Sequence, residues 1–225
     1  MGVRVTKGVI GEMKGGIDTI VLSPWNDIDT IRGKPTKNRK KSKSQKLIAQ
    51  KNLFGMVSSF LRPGKEIFKV GYQKARKVVL TTFDAAMSYH LKNAVVNDEE
   101  GVRMLMPKLK LTLPRRTTQP AWNPVLSMTD NIVTVRWQLN PFPQKCTQLD
   151  DKVSLVFYDK QRKIFLWREA GIRSDVVYME DLSIGHAGHD IYCYIFLVSA
   201  DGKLVSETEY LGMITITGKE ETWLL

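Results

Sequence analysis

His186-Ala187-Gly188-His189 sets two imidazoles close together in the chain, and that spacing can offer two nitrogen ligands to a zinc ion. No cysteine or third histidine lies beside them, so the stretch reads as an ordinary loop between strands. His90, the remaining histidine, falls near the polar side of a predicted helix and needs no ligand there. Nucleophilic chemistry has no better footing: there is no G-x-S-x-G elbow, and neither Cys146 nor Cys193 stands in a protease-like context. The acidic pairs Asp150-Asp151 and Glu220-Glu221 are expected at the surface, where nothing shifts their ionisation. Gly8-x-x-Gly11 lacks the Lys-Ser/Thr and the following helix that a phosphate-cradling loop requires. The expectation is a protein with no catalytic residue, no metal site and no cofactor.

The residue types that do carry a chemistry are basic. Between Arg32 and Lys77 the chain has fifteen Lys/Arg and one acidic residue, Glu66. Residues 1–120 hold 24 basic and 9 acidic side chains, a net of +15, while residues 121–225 hold 10 and 14, a net of −4. Charge confined to one half is a statement about partners, because a single-signed run repels itself unless a polyanion or counterions offset it. Arg32, Lys34, Lys37, Arg39, Lys40, Lys41, Lys43 and Lys46 lie in a stretch that has almost nothing apolar to bury, expected as an extended arm over 32–46. Lys65, Lys69 and Arg76, with Arg62 before them, recur at three-, four- and seven-residue steps along the outer face of a predicted helix. Lysine is a flexible point charge and no base-reading module is present, so the expected partner is nucleic acid, met at its phosphate backbone without sequence readout. Phe54, Phe60 and Phe68 suit a core better than a stacking platform.

Two other readings accompany that one. A glycine-rich β entry, an extended basic arm and a sandwich suit subunit contacts in a phage-like particle or filament, a homo-oligomer in which the +15 half docks on the −4 half. Binding to anionic lipid is weaker, because the apolar stripe of the 62–77 helix is wanted for the core.

These residues need elements to position them. Residues 2–33 alternate short apolar runs with glycines, so short strands are expected, with Ser23-Pro24-Trp25-Asn26-Asp27 breaking one of them. Ser42 or Ser44 offers a cap for a helix beginning near Gln45, whose apolar residues include Leu47, Ile48, Leu53, Phe54, Val57 and Leu61, and Arg62-Pro63-Gly64 stops it. Further helices are expected over about 65–79 and 82–95, followed by a turn at 97–101. The period then changes to two. Leu109, Leu111 and Leu113 predict a strand, and others follow at 132–137, 153–158, 164–167, 176–179, 191–198 and 204–216, with an Asp201-Gly202 hairpin turn. Tyr192 is the candidate for a tyrosine that bonds back to the loop before its strand.

The fold expected is therefore α+β: a basic N-terminal module over 1–101 with a small β entry and three helices, a connector over 102–120, and an antiparallel immunoglobulin/fibronectin-like β-sandwich over 121–225. No apolar run approaches the ~20 residues of a membrane span. The N-terminal MGVRVTKGVIGEMKGG has no apolar export core, and Lys7 stands where a myristoylation signal wants Ser or Thr. The expected address is the cytoplasm or a particle assembled there, with both cysteines reduced.

Gly8-x-x-Gly11, Gly15-Gly16, Trp25-x-x-Ile28-x-x-x-Arg32-x-x-Pro35, Ser44-Gln45-x-x-x-x-Gln50-x-x-Phe54 and Phe83-x-x-Ala86-Met87-Ser88-Tyr89-x-Leu91-Lys92-Asn93-Ala94 form a further pattern. Together they resemble an uncharacterised family, a domain of unknown function from Bacteroidota genomes, which pairs a Gly-rich basic N-terminal half with a C-terminal β-sandwich-like half. The resemblance covers nearly the whole chain and implies no activity.

Overall fold

A computed structural model of the chain describes residues 3–5, 15–17, 19–25, 28–34, 44–72, 81–98 and 101–217. The architecture is α+β, and the chain divides into two compact units, Met1–Ala49 and Gln50–Leu225. Among the described residues no helix is long and apolar enough to cross a membrane.

The first unit holds four antiparallel strands, β1 (Val3–Val5), β2 (Gly15–Ile17), β3 (Ile20–Trp25) and β4 (Ile28–Gly33), in the order β1-β4-β3-β2. Of the break expected over 23–27, Ser23-Pro24-Trp25 instead continues β3, because Pro24 pairs with Asp29 and Trp25 with Ile28; the strand ends at Trp25, and Asn26 and Asp27 lie outside the described residues. β2 covers only Ile20, Val21 and Leu22. Beyond them β3 has a strand on one side only among the described residues, the edge position in which a missing N–H is tolerated.

Helix α1 (Gln45–Leu61) ends where Arg62-Pro63-Gly64 forms a 3-10 turn, and α2 (Lys65–Gly71) follows at once. α2 stops at Gly71 within the helix expected over 65–79, whose residues 73–79 lie outside the described residues. Tyr72 is extended there and bridges in parallel to Leu113, the Leu113 amide donates to the Gly71 carbonyl at 3.0 Å, and the Tyr72 hydroxyl donates to the Lys110 carbonyl at 2.9 Å. α3 (Thr82–Asn93) opens on a capping box in which Thr81 and Asp84 exchange hydrogen bonds. Where residues 97–101 were expected to end this helix, it ends at Asn93 and a hairpin follows, β5 (Val95–Asp98) with β6 (Gly101–Met104), Glu99 and Glu100 lying outside the described residues.

Residues 109–113 form no regular strand. The period-two pattern holds for Leu109 and Leu111, which are buried, and fails after them, where Thr112 is buried and Leu113 exposed, and the segment is a strap held mainly by side chains. Thr112 carries much of that: its amide donates to the Thr208 hydroxyl at 2.8 Å and its hydroxyl to the Ser206 carbonyl at 2.8 Å.

Seven antiparallel strands complete the second unit: β7 (Trp122–Thr129), β8 (Ile132–Gln138), β9 (Lys152–Asp159), β10 (Ile164–Ile172), β11 (Val177–Asp181), β12 (Asp190–Val198) and β13 (Glu209–Thr215). They form one sheet ordered β10-β9-β12-β13 and another ordered β11-β8-β7. β7 was not expected from the sequence; Asp130 and Asn131, both at positive φ, turn it into β8 as a two-residue hairpin. In place of one strand over 204–216, Val205 makes a bridge to Val198 and β13 begins at Glu209.

Every residue of β9 from Val153 to Asp159 is buried, because both faces of the larger sheet are covered. Leu155, Phe157, Cys193, Ile195 and Leu197 share an apolar cluster with Val133, Val135 and Trp137 of the smaller sheet. Residues of the other parity, Val156, Tyr158, Tyr194 and Phe196, share a second cluster with Val57, Leu61, Phe68, Met87 and Leu111. The helices are therefore the lid of this sheet.

Candidate phosphate-contacting residues and a histidine–carboxylate cluster

Of the basic residues picked out in the sequence, Arg32 and Lys34 are exposed at the end of β4, and Lys46 is exposed in the first turn of α1. Lys65 and Lys69 are exposed on α2, where the Lys69 ammonium pairs with Glu66 at 2.7 Å. Such an exposed pair contributes little and is easily exchanged for another anion. Lys37, Arg39, Lys40, Lys41, Lys43 and Arg76 lie outside the described residues. Lys51 is exposed on α1 as well, and α1 carries no acidic residue at all. The start of that helix departs from expectation: Leu47, Ile48 and Phe54 are exposed, Phe54 at 55%, and core contact begins with Leu53. Phe60 and Phe68 do join the core, where Phe60 stacks at a tilt on Tyr158 with ring centres 4.8 Å apart.

Titratable groups expected at the surface turn out to be buried. Asp151 is fully buried and pairs with the buried Arg173 at 2.8 Å. The Arg173 guanidinium also donates to the carbonyls of Gln148, Pro120 and Gln119, and its own carbonyl accepts from the Trp137 indole N–H at 2.8 Å. Several separate segments meet on this one residue, so it is a structural hub. Two buried opposite charges of this kind fix an arrangement more than they add stability.

His90 is likewise inside, against the expectation of a polar helix face. Its Nδ1 lies 2.7 Å from the Ala86 carbonyl, and its Nε2 accepts from the Lys110 amide at 3.2 Å. The neutral Nδ1–H tautomer satisfies both bonds. Burial pushes the ring down to about 4, partly opposed by the bond to Ala86.

The third cluster joins residues far apart in the chain. Asp159 is the last residue of β9, paired with Ile164 of β10 and Ile191 of β12, and its side chain is fully buried. Its Oδ1 accepts from the Arg162 amide at 2.8 Å. Its Oδ2 lies 2.8 Å from Nδ1 of His186 and 2.7 Å from Nδ1 of His189. Burial pushes the Asp159 carboxyl up, but the bonds from Arg162, His189 and His186 outweigh it and hold the group below its ordinary value. The loop carrying the histidines is pinned at both ends. Gly188 donates to the Ile216 carbonyl at 2.7 Å, Ile216 to the His189 carbonyl at 3.0 Å, and the Arg162 guanidinium to the Gly185 carbonyl at 3.2 Å. Gly185 and Gly188 both take positive φ in this loop, which explains the glycines there.

No bond from Tyr192 back to the loop before its strand is found among the described residues; the neighbouring Tyr194 hydroxyl donates instead to the distant Met106 carbonyl at 3.0 Å. Tyr192 instead stands beside Tyr158, with ring centres 6.4 Å apart.

A family model described as "Family of unknown function (DUF6266)" matches residues 12–212. The chain belongs to this family. The family span takes in β2 to β12, the basic stretch, helices α1 to α3 and each member of the Asp159–His186–His189 cluster. No curated protein matches the chain.

Proposed function

We propose that the protein is a non-enzymatic, nucleic-acid-associated protein of the cytoplasm, or of a particle assembled there, whose N-terminal basic residues contact the phosphate backbone without reading sequence. The observation that carries this reading is the charge of the described helical stretch 44–72. In the part of it that belongs to the second unit Lys51, Arg62, Lys65 and Lys69 are all exposed, against Glu66 as the one acidic residue, and in the first unit Lys46 is exposed. Long flexible ammonium groups on a surface of one sign suit diffuse phosphate neutralisation. The β-rich half is assigned protein contacts. The three-stranded sheet exposes Val125, Ile132 and Met179, which stand 59%, 42% and 57% exposed. Its strands alternate between the two sheets as β7, β8 and β11 against β9, β10, β12 and β13, a connectivity that supports an immunoglobulin/fibronectin-like sandwich.

Mobility shift of duplex and single-stranded fragments tests the proposal. Retardation at 50 mM salt is expected, and six phosphate contacts predict a loss of affinity of about a thousandfold by 200 mM. Replacing Lys51, Arg62 and Lys65 with glutamate should weaken binding to unrelated sequences alike. Absence of any shift at low salt sinks the proposal.

A further inference from the structure

We propose that Asp159, His186 and His189 form a binding site for a divalent first-row transition cation, with Zn²⁺ the best match to the donor set. This rests on the cluster's geometry and not on the phosphate reading.

Three ligand atoms of the right kinds converge: two imidazole Nδ1 atoms and one carboxylate Oδ2, all within 4.8 Å of one another. Nitrogen and carboxylate oxygen bind Zn²⁺ at about 2.0–2.2 Å, which sets tetrahedral donors ~3.3 Å apart. The observed 2.8 and 2.7 Å from Oδ2 to the two nitrogens need open by only about half an ångström. In the metal-free chain two N–H groups point at the same oxygen; a cation would replace both protons at that point.

The donors are also held in place. Asp159 ends a strand paired on both sides, and the Arg162 amide occupies its Oδ1, which leaves Oδ2 aimed at the rings. Such outer support is what orients ligands in metal sites. The loop with both histidines is fixed by the Gly188, Ile216 and Arg162 bonds, so little ordering remains to be done on binding. Access exists as well, because the His189 side chain is 23% exposed while Asp159 is sealed. Three protein donors leave at least one coordination position for water or a further ligand.

The test is titration of the full chain, first stripped with chelator, with ZnCl₂ in a calorimeter and with Co²⁺ followed by its visible absorption. One ion per chain is expected, with a tetrahedral cobalt spectrum and a Zn²⁺-dependent rise in the urea midpoint. His189→Gln, at the most exposed ligand, should stay folded by circular dichroism and weaken Zn²⁺ binding by about a hundredfold. Wild-type protein that takes up neither ion overturns the proposal, and so does a folded His189→Gln that binds Zn²⁺ as tightly as wild type.

Discussion

His90 shows how one buried side chain writes a pH dependence into the fold. Its neutral ring donates to Ala86 and accepts from Lys110, so protonation both buries a charge and destroys an acceptor. The folded ring titrates near 4, whereas an unfolded chain binds that proton near 6.5. Between those values the unfolded state carries more protons, so this histidine costs stability as pH falls through the window. By pH 4 the loss reaches about 3 kcal/mol. Urea midpoints of wild type and His90→Gln from pH 7 to 4 should show the variant with the flatter curve. Parallel curves would exclude the effect. Asp151 and Arg173 are the other residues whose placement the chain order hides. Asp151 looks like half of an exposed acidic pair until Arg173, 22 positions on, is found against it.

At the scale of elements, two helical glycines should respond to the same substitution with opposite signs. A side chain on Gly71 would strike the Leu111 carbonyl and Thr112, because the strap over 109–113 crosses directly on that end of α2. Gly55, midway along α1, has nothing within 4 Å of where a Cβ would stand. Gly71→Ala should therefore destabilise the protein by about 1–3 kcal/mol through overpacking. Gly55→Ala should stabilise it by about 0.5–1 kcal/mol through helix propensity. Chemical denaturation of the two variants checks both, and two shifts of the same sign would contradict the strap geometry. The strap also ends α2: the apolar stripe continues past Gly71 in sequence, yet Tyr72 turns extended to pair with Leu113.

For the whole molecule the informative quantity is where charge and apolar surface separate. The second unit buries both faces of its larger sheet, one under the smaller sheet and one under the helices. Its stability accordingly has no need of the basic run over 34–43, which contains no apolar side chain besides Pro35. Deleting residues 34–43 should leave the unfolding midpoint within about 0.5 kcal/mol of wild type. The same deletion removes six basic residues, and it should flatten the salt dependence of nucleic-acid affinity by about 0.9 in log–log slope for each phosphate no longer neutralised. A chain that no longer folds would show the arm to be structural, and an unchanged slope would remove it from the interface.

Local patterns in the sequence determined α1, α3 and most of the later strands, because a 3.6 or two-residue period and a capping or turn residue are properties of neighbouring positions. The same holds for the charge asymmetry, since exposed lysines need no partner to be recognised. β7 was legible in principle from the Asp130-Asn131 turn, although Ala121-Trp122-Asn123-Pro124 reads more readily as the entry to a domain than as the start of a strand. What only the tertiary structure decided depends on contacts between distant residues. The apolar run over 155–158 of β9 is compatible with a strand covered on one face or both, and only packing shows the helices on its second face. Asp159 lies 27 and 30 positions from the two histidines, with no spacing rule to join them. A strand end and a pinned loop bring them onto one carboxylate oxygen.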